Sequence, residues 1–517
     1  MKKYFLLILT VICLLFGSCK TLSDQNTAEK NMITLPAEEV VDKIRGGMFG
    51  MMIGNMNGWP YEFKFYDTHG DVKDYVPSLP KGAQTDDDTD FEWVYIYNMQ
   101  KNRTAFLSYD IINNFWKNSI NRNIWCANRY TRYIMDLGIK APMTGSVVLN
   151  PWAEFNVSGQ FLCEAYGLVA PAMPQTAAKI GLHYTKVAID QEPAQTTQLF
   201  TSMISTAFVE SDVNRILDAG VASMDSKSII VQIISDVRKW HALNPDNPAE
   251  THRLLHEKYA LNQGVTRNRN GSELNTAAII AAFLYGNGDF AETIRHSMNF
   301  GYDADCNAAT LGTLLGTMYG HRRIMNQGWN IVDRYKNTNR ENMPMDETII
   351  SFSDRIIDIF EMINQENGGS KSVVNNTVVY NIPSEKPASV ISLLTFDEEK
   401  ARLVNENQKS IVSDLLNGDK QAKARAAYLA ISLDMAKDLK KKYPKQWKAA
   451  CYDLSGYWKV IANIINGETF NTHNALKAKF VAEGFIPLKE HPKYEVLFND
   501  MEIWKDPETL YTAPNKK

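Results

Sequence analysis

The chain has 517 residues, of which 44% are hydrophobic and 22% charged. Its 55 Lys and Arg stand against 59 Asp and Glu, and a formal net charge of −4 provides no basic footprint for nucleic acid. With 29 Gly and 19 Pro it is no fibrous or low-complexity chain. A chain this long supports about two to four domains with cores of their own.

Lys2 and Lys3 precede a predominantly apolar stretch at 5–16. That run is too short to span a hydrocarbon core as a mature helix but suits the apolar region of a signal sequence. It ends at Phe16-Gly17-Ser18-Cys19, which resembles the lipobox of bacterial lipoproteins. The resemblance implies a signal peptide over 1–18, lipidation of Cys19 and a polar tether over 19–35. An ordinary secretory signal with an incidental Cys19 is the alternative. No later segment approaches 18 continuous apolar residues, so the expected contact with the bacterial cell envelope, periplasmic or at the cell surface, is by lipid alone. Cys126, Cys163, Cys306 and Cys451 are far apart and lack zinc spacing. Most are expected to stay unpaired as small core residues.

From residue 36 to 366 the pattern is almost wholly helical. Apolar residues recur at three- and four-residue intervals over 40–53, 91–99, 105–116, 195–209, 275–284 and 349–363. Breaks fall at clusters of Gly, Pro and Asn, as at 76–82 and 243–248. The polar stretch 365–370 reads as a linker. Beyond it, 372–382 alternates enough for a short β-hairpin, and helical patterns return over 396–416, 420–442 and 444–465. The expected fold class is all-α: a compact multi-helix domain over 36–366, and a smaller, mainly helical accessory domain over 373–517 that contains the hairpin.

Three stretches carry candidate chemistry. Gly46, Gly50 and Gly54 lie four apart and so share one helical face, where another backbone or a ligand approaches closely. Glu62, past Gly58 and Pro60, leaves the end of that helix. Asp86, Asp87, Asp88 and Asp90 crowd the start of the helical run at Phe91. One or two carboxylates would suffice to cap it. Four packed together repel one another unless a cation neutralises them, and oxygen ligands without His or Cys suit Mg²⁺. Asp303 and Asp305 open a third helix whose Gly312, Gly316 and Gly320 are again four apart. Brought together, the two acidic helix starts could hold two divalent ions.

In combination these stretches resemble the signature of the ADP-ribosylglycohydrolase family, all-α dimagnesium enzymes that include the dinitrogenase-reductase-activating glycohydrolase. The family shows a Gly-x-x-x-Gly-Asp helix ending near a Glu, then Thr-Asp-Asp-Thr, and later Gly-Gly-Asp-x-Asp-Thr. Gly159-Gln160 and the segment 167–171 resemble a middle stretch of bacterial members, and the helix at Asn275 also fits. The resemblance implies a metal-dependent hydrolase that cleaves an ADP-ribosyl N- or O-glycosidic linkage, water held by the metals attacking the anomeric carbon while a carboxylate takes its proton. It implies Asp86, Asp87, Asp88, Asp303 and Asp305 as metal ligands, with Asp86 in the place of the family's Thr. Shifting the frame by one would instead use Thr85, Asp86 and Asp87. Glu62, Asp87 and Asp305 take the catalytic positions, and Asn55, Tyr61, Gly159 and Asn307 are expected at the substrate. Two Mg²⁺ ions are implied, with Mn²⁺ as the alternative, and a small-molecule or conjugated ADP-ribosyl partner. Asn55 replaces the family's Asp, and Cys306, a poor Mg²⁺ ligand, stands where Thr often donates a hydroxyl. Trp59, Tyr61, Phe63, Phe65 and Tyr66 crowd Glu62 and offer stacking faces. The same fold and metals acting on a non-ADP-ribosyl glycoside, or a non-catalytic binding lipoprotein, are the competing readings.

Overall fold

The computed structural model describes residues 31–260, 269–465 and 471–485. The expected signal peptide, Cys19 and most of the expected tether lie outside them. Strand β1 (Met32–Pro36) runs directly into α1 (Ala37–Gly58), which a 3₁₀ turn at Trp59–Tyr61 ends. Strand β2 (Ala83–Gln84) leads into α2 (Asp87–Asn102), followed by α3 (Cys126–Asp136), α4 (Ser272–Gly286) and α5 (Ala304–Tyr319). Next come β3 (Tyr335–Lys336), β4 (Asp346–Glu347) and α6 (Ile349–Glu366), then the hairpin β5 (Ser370–Val374) and β6 (Thr377–Pro383). Helices α7 (Phe396–Asn417) and α8 (Lys420–Ser432) follow, and further helices such as Gln191–Thr206 and Phe290–Phe300 fill the body.

The fold is mainly α-helical with small sheets, and the helices expected from apolar periodicity are present. Two of them start at the residue where the apolar pattern starts because polar caps fix them there: Thr348 with Ser351, and Thr395 with Glu398, form reciprocal capping boxes. The expected 420–442 helix is two helices, interrupted at Asp434 with φ 62°, and the expected 444–465 helix is likewise two, Pro444–Ser455 and Trp458–Ile465, divided at Gly456. The hairpin turns through Asn375 and Asn376, both at positive φ, as the right-handed twist of paired strands favours.

Strand β6 pairs antiparallel with β5 on one side and with β1 on the other, Met32 lying opposite Pro383. Residues 32–35, expected in the tether, are therefore built into a sheet. The stretch expected as a linker is a reversal through Gly368 into β5. Helices α7 and α8 rest on the larger body through buried polar contacts. Tyr428 donates to the Leu149 carbonyl at 2.5 Å and shares a hydrogen bond with Tyr130 of α3 at 2.9 Å, while Ser146 donates to Glu399 at 2.8 Å. Cys126, Cys163, Cys306 and Cys451 are free thiols, the first three buried, as expected of core cysteines. Among the described residues no helix is long and apolar enough to cross a membrane.

The glycine stripes of α1 and α5 face each other. A Cβ on Gly50 would lie 1.9 Å from the Gly312 carbonyl oxygen, one on Gly46 2.2 Å from that of Gly316, and one on Gly54 2.0 Å from that of Ala308. The close neighbour of each stripe is thus a backbone. The order of these contacts makes the helices antiparallel, so the end of α1 meets the start of α5: a Cβ on Gly58 would come 2.7 Å from the Asp305 Cα. Val at Gly50 or Gly312 has no side chain to push aside, only main chain. Gly312→Val is expected to lower stability by roughly 3 kcal/mol in urea denaturation, and a loss below about 0.5 kcal/mol would show that the two helices part freely.

Candidate active site

Three chain segments bring the carboxylates together. The 3₁₀ turn beyond α1 ends at Glu62; β2, held parallel to β3, delivers Asp86 to Asp88 at the start of α2; and Asp303 and Asp305 flank the first residue of α5. Glu62, Asp86, Asp87, Asp303 and Asp305 line one cavity of about 410 Å³. One donor atom from each of Glu62, Asp303 and Asp305 lies within 4.8 Å of the others, and the same holds for Asp88, Asp305 and Cys306. Asp305 belongs to both sets.

The cluster is braced from behind. Buried Asn55 donates to Asp86 at 3.0 Å and to Asp88 at 2.7 Å, and the Cys306 thiol donates to the other Asp88 oxygen at 2.5 Å. Asn270 donates to Asp303 at 3.0 Å, and the Asp303 backbone N–H donates to Asn275. Asp86 caps α2 through the Asp87 N–H at 3.1 Å. The Thr85 hydroxyl is engaged elsewhere, accepting from the backbone N–H groups of Thr338 and Asn339. Thr85, Asp86 and Asp87 line the cavity while Asp88 lies behind them beside Asp305 and Cys306, so residues of both frames stand at the site. Burial, and then repulsion from Asp303 and Asp86, pushes Glu62 up to about 8. Burial likewise raises Asp86, Asp87, Asp88, Asp303 and Asp305; a neighbouring carboxylate adds to the rise at all but Asp86, where Asn55, the Asp87 N–H and Arg340 oppose it.

Arg340 ties the cavity walls together. Fully buried, it pairs with Asp90 of α2 at 2.7 Å, donates to the Arg122 carbonyl and donates to that of Asn123 at 3.2 Å. Asn123 and Asn339 on either side of it line the cavity. Asp90 is nevertheless pushed up to about 7 by burial, which Arg340 opposes. Arg340→Met leaves a buried carboxylate without its partner and frees two walls. Its expected cost is about 3–5 kcal/mol in chemical denaturation, whereas a change within ~0.5 kcal/mol would deny the pair this role.

The donor set fits hard divalent cations. It is nearly all carboxylate oxygen, and Asp305 Oδ1 is buried without a hydrogen-bond partner. A cation at these raised carboxyls competes with protons for the same oxygens. With the folded value of Glu62 raised from 4.5 to about 8, its stabilising contribution is complete below the unfolded value and lost as pH rises through about 8. Its neighbours shift in the same direction. Metal-free protein is therefore expected to melt at lower temperature at pH 9 than at pH 6, with Mg²⁺ recovering the loss more fully at the higher pH. Scanning fluorimetry with and without EDTA measures this, and a metal-free melting point that rises with pH would contradict the mutual repulsion.

The family model of the ADP-ribosylglycohydrolases matches residues 36–361, more than half the chain. The chain belongs to that family. Its membership supports a glycosyl-hydrolase type of function. No curated protein matches the chain. A solved structure described as an ADP-ribosylglycohydrolase-related protein complex is similar at 15% identity, over 63% of this chain and 99% of that one, with a TM-score of 0.38.

The structure gathers all six expected carboxylates, Asp88 lying behind the cavity lining. The four residues expected at the substrate do not line it. Asn55 is spent on Asp86 and Asp88; Tyr61 stacks on Phe65 with ring centres 6.2 Å apart. Gly159 packs beneath the Pro193 carbonyl, and Asn307 links Gln160 to Asn275 within the core. Of the aromatics around Glu62, Trp59 and Phe63 reach the lining. Sequence reading missed Asn123, Trp125, Asn128, Asn270, Thr338 and Asn339, which come from three distant segments, Asn128 on α3, and share no spacing. Asn270, five residues before Asn275, was the one within reach of a quoted motif.

Proposed function

We propose that the chain is a divalent-metal-dependent glycohydrolase, with Mg²⁺ as the natural ion and Mn²⁺ as its substitute. The observation that carries this is the convergence of Glu62, Asp303 and Asp305 within 4.8 Å at the floor of a cavity. Asp303 and Asp305, with Asp88 and the adjoining Asp86 and Asp87, would hold the cations. Divalent ions bound there supply charge neutralisation and Lewis acidity toward water and sugar hydroxyls. Glu62, near neutrality in its affinity for protons, is suited to take the proton of an attacking water and pass it to the leaving group. The water's hydroxyl joins the anomeric carbon as the bond to the aglycone breaks. Asn55 and Asn270 hold the carboxylates in place, and Trp59 and Phe63 offer ring faces to the sugar.

ADP-ribosyl N- and O-glycosides are the reference substrates that family membership supplies. The lipid anchor at Cys19 and residence in a bacterial cell envelope belong to the same proposal. Hydrolysis of glycosyl conjugates, starting with ADP-ribosyl-arginine, is expected with Mg²⁺, to be abolished by EDTA, and to fall at least about a thousandfold in Asp305→Asn. Turnover insensitive to EDTA would remove the metal, and ligand binding without turnover of any conjugate would leave a binding protein.

A further inference from the structure

The two donor sets at the cavity differ in one kind of atom. Glu62, Asp303 and Asp305 offer carboxylate oxygens alone, whereas Asp88, Asp305 and Cys306 add a sulfur. All three members of the second set are buried. Cys126 also lines the cavity but belongs to neither set, and among the described lining residues none is His. Any soft donor in this centre is therefore the Cys306 Sγ.

A buried cysteine ordinarily fills space among apolar side chains. This one donates to Asp88 Oδ1 at 2.5 Å, and its sulfur lies within 4.8 Å of an Asp305 oxygen. A second observation points to a ligand at the same place. Asp305 is 5% exposed, and its Oδ1 is buried without a hydrogen-bond partner. An unmet carboxylate oxygen beside a thiol calls for a cation that accepts both donors. Mg²⁺ takes oxygen ligands in a near-ideal octahedron and gives up its water reluctantly. Zn²⁺ and Co²⁺ accept thiolate and carboxylate together. The thiol that makes this set the poorer seat for Mg²⁺ is what suits it to the softer ion. With bonds of about 2.0–2.3 Å, neighbouring donors on a zinc tetrahedron stand roughly 3.5 Å apart. Three donor atoms within 4.8 Å of one another are near enough to close on such an ion. Asp305 and Cys306 line the cavity, from which a fourth ligand can come.

We infer that Asp88, Asp305 and Cys306 form a sulfur-containing seat for a borderline-soft divalent ion of the Zn²⁺ and Co²⁺ class, beside the oxygen-only set that suits Mg²⁺. As the ion enters, the Sγ–H bond breaks, a sulfur–metal bond forms and the proton leaves to solvent, with no change of oxidation state. The inference rests on the glycohydrolase reading for its metal centre and gives one ion of that centre a chemical identity. The test takes the full chain, strips it with EDTA, removes the chelator by dialysis and titrates with Co²⁺. A thiolate bound to Co²⁺ absorbs intensely in the near ultraviolet, and an all-oxygen site does not. The band is expected to appear, to be bleached by Zn²⁺ and to persist in roughly a hundredfold excess of Mg²⁺. Cys306→Ser keeps a hydroxyl to donate to Asp88 and removes the soft ligand. It is expected to abolish the band and to weaken Zn²⁺ binding at least about tenfold, while Cys126→Ser changes neither. Cadmium NMR of the unaltered chain needs no variant and is expected to show a resonance shifted downfield by sulfur. Absence of the band, a band that survives Cys306→Ser, or cadmium resonances all in the oxygen range overturns the sulfur seat. EDTA-sensitive turnover in such a protein would leave the glycohydrolase standing. A band that behaves as expected, with turnover of no glycosyl conjugate, keeps the seat and removes the glycohydrolase.

Discussion

The contact on which the site depends contains no side chain. Helices α1 and α5 meet main chain to main chain along their glycines and alanines, each carbonyl lying where the opposing residue's Cβ would be. Glycine inside a helix is unfavourable by about 1 kcal/mol relative to alanine, so the stripe is a local loss recovered only through close packing with its partner. What that packing delivers is position. The chain leaves α1 beside the point where it enters α5, and two acidic segments about 240 residues apart in sequence come within a few ångströms.

Assembling like charges in this way is unfavourable by itself. Burial raises the proton affinity of every carboxylate in the cluster, and mutual repulsion adds to it at all but Asp86. The surrounding amides relieve this only in part: Asn55 serves Asp86 and Asp88, Asn270 serves Asp303, and Asp305 keeps an oxygen with no partner. A scaffold so arranged is complete only with protons or cations in place. The Cys306 thiol, where a hydroxyl would be a better oxygen ligand, already donates to Asp88, which makes the Asp88 side the less accommodating of the two donor sets.

Much of this was legible in the sequence because it is local. A four-residue glycine spacing, an overcrowded helix start and an Asp-x-Asp pair can each be recognised from neighbouring residues, and each lies where expected. The hairpin, too, is written in its alternation and its Asn-Asn turn. The cavity walls were not legible. Asn128 on α3, Asn270 just before α4 and Asn339 beyond β3 are joined only by tertiary packing, and a lone asparagine has no periodicity to announce it. Asn55 and Asn307, expected at the substrate, stay out of the cavity lining for a related reason: they stand next to the motifs and are engaged in the scaffold around the carboxylates. The pairing of β1 with β6 was equally hidden, since it joins segments almost 350 residues apart.

The route of the N-terminal segment has a consequence for distance. Met32 is pinned beside Pro383, and α1 then runs 22 residues to the edge of the cavity. At about 1.5 Å per residue the helix is a strut of roughly 33 Å. Changes made at the sheet end of this strut therefore act a helix-length from the carboxylates gathered at its far end.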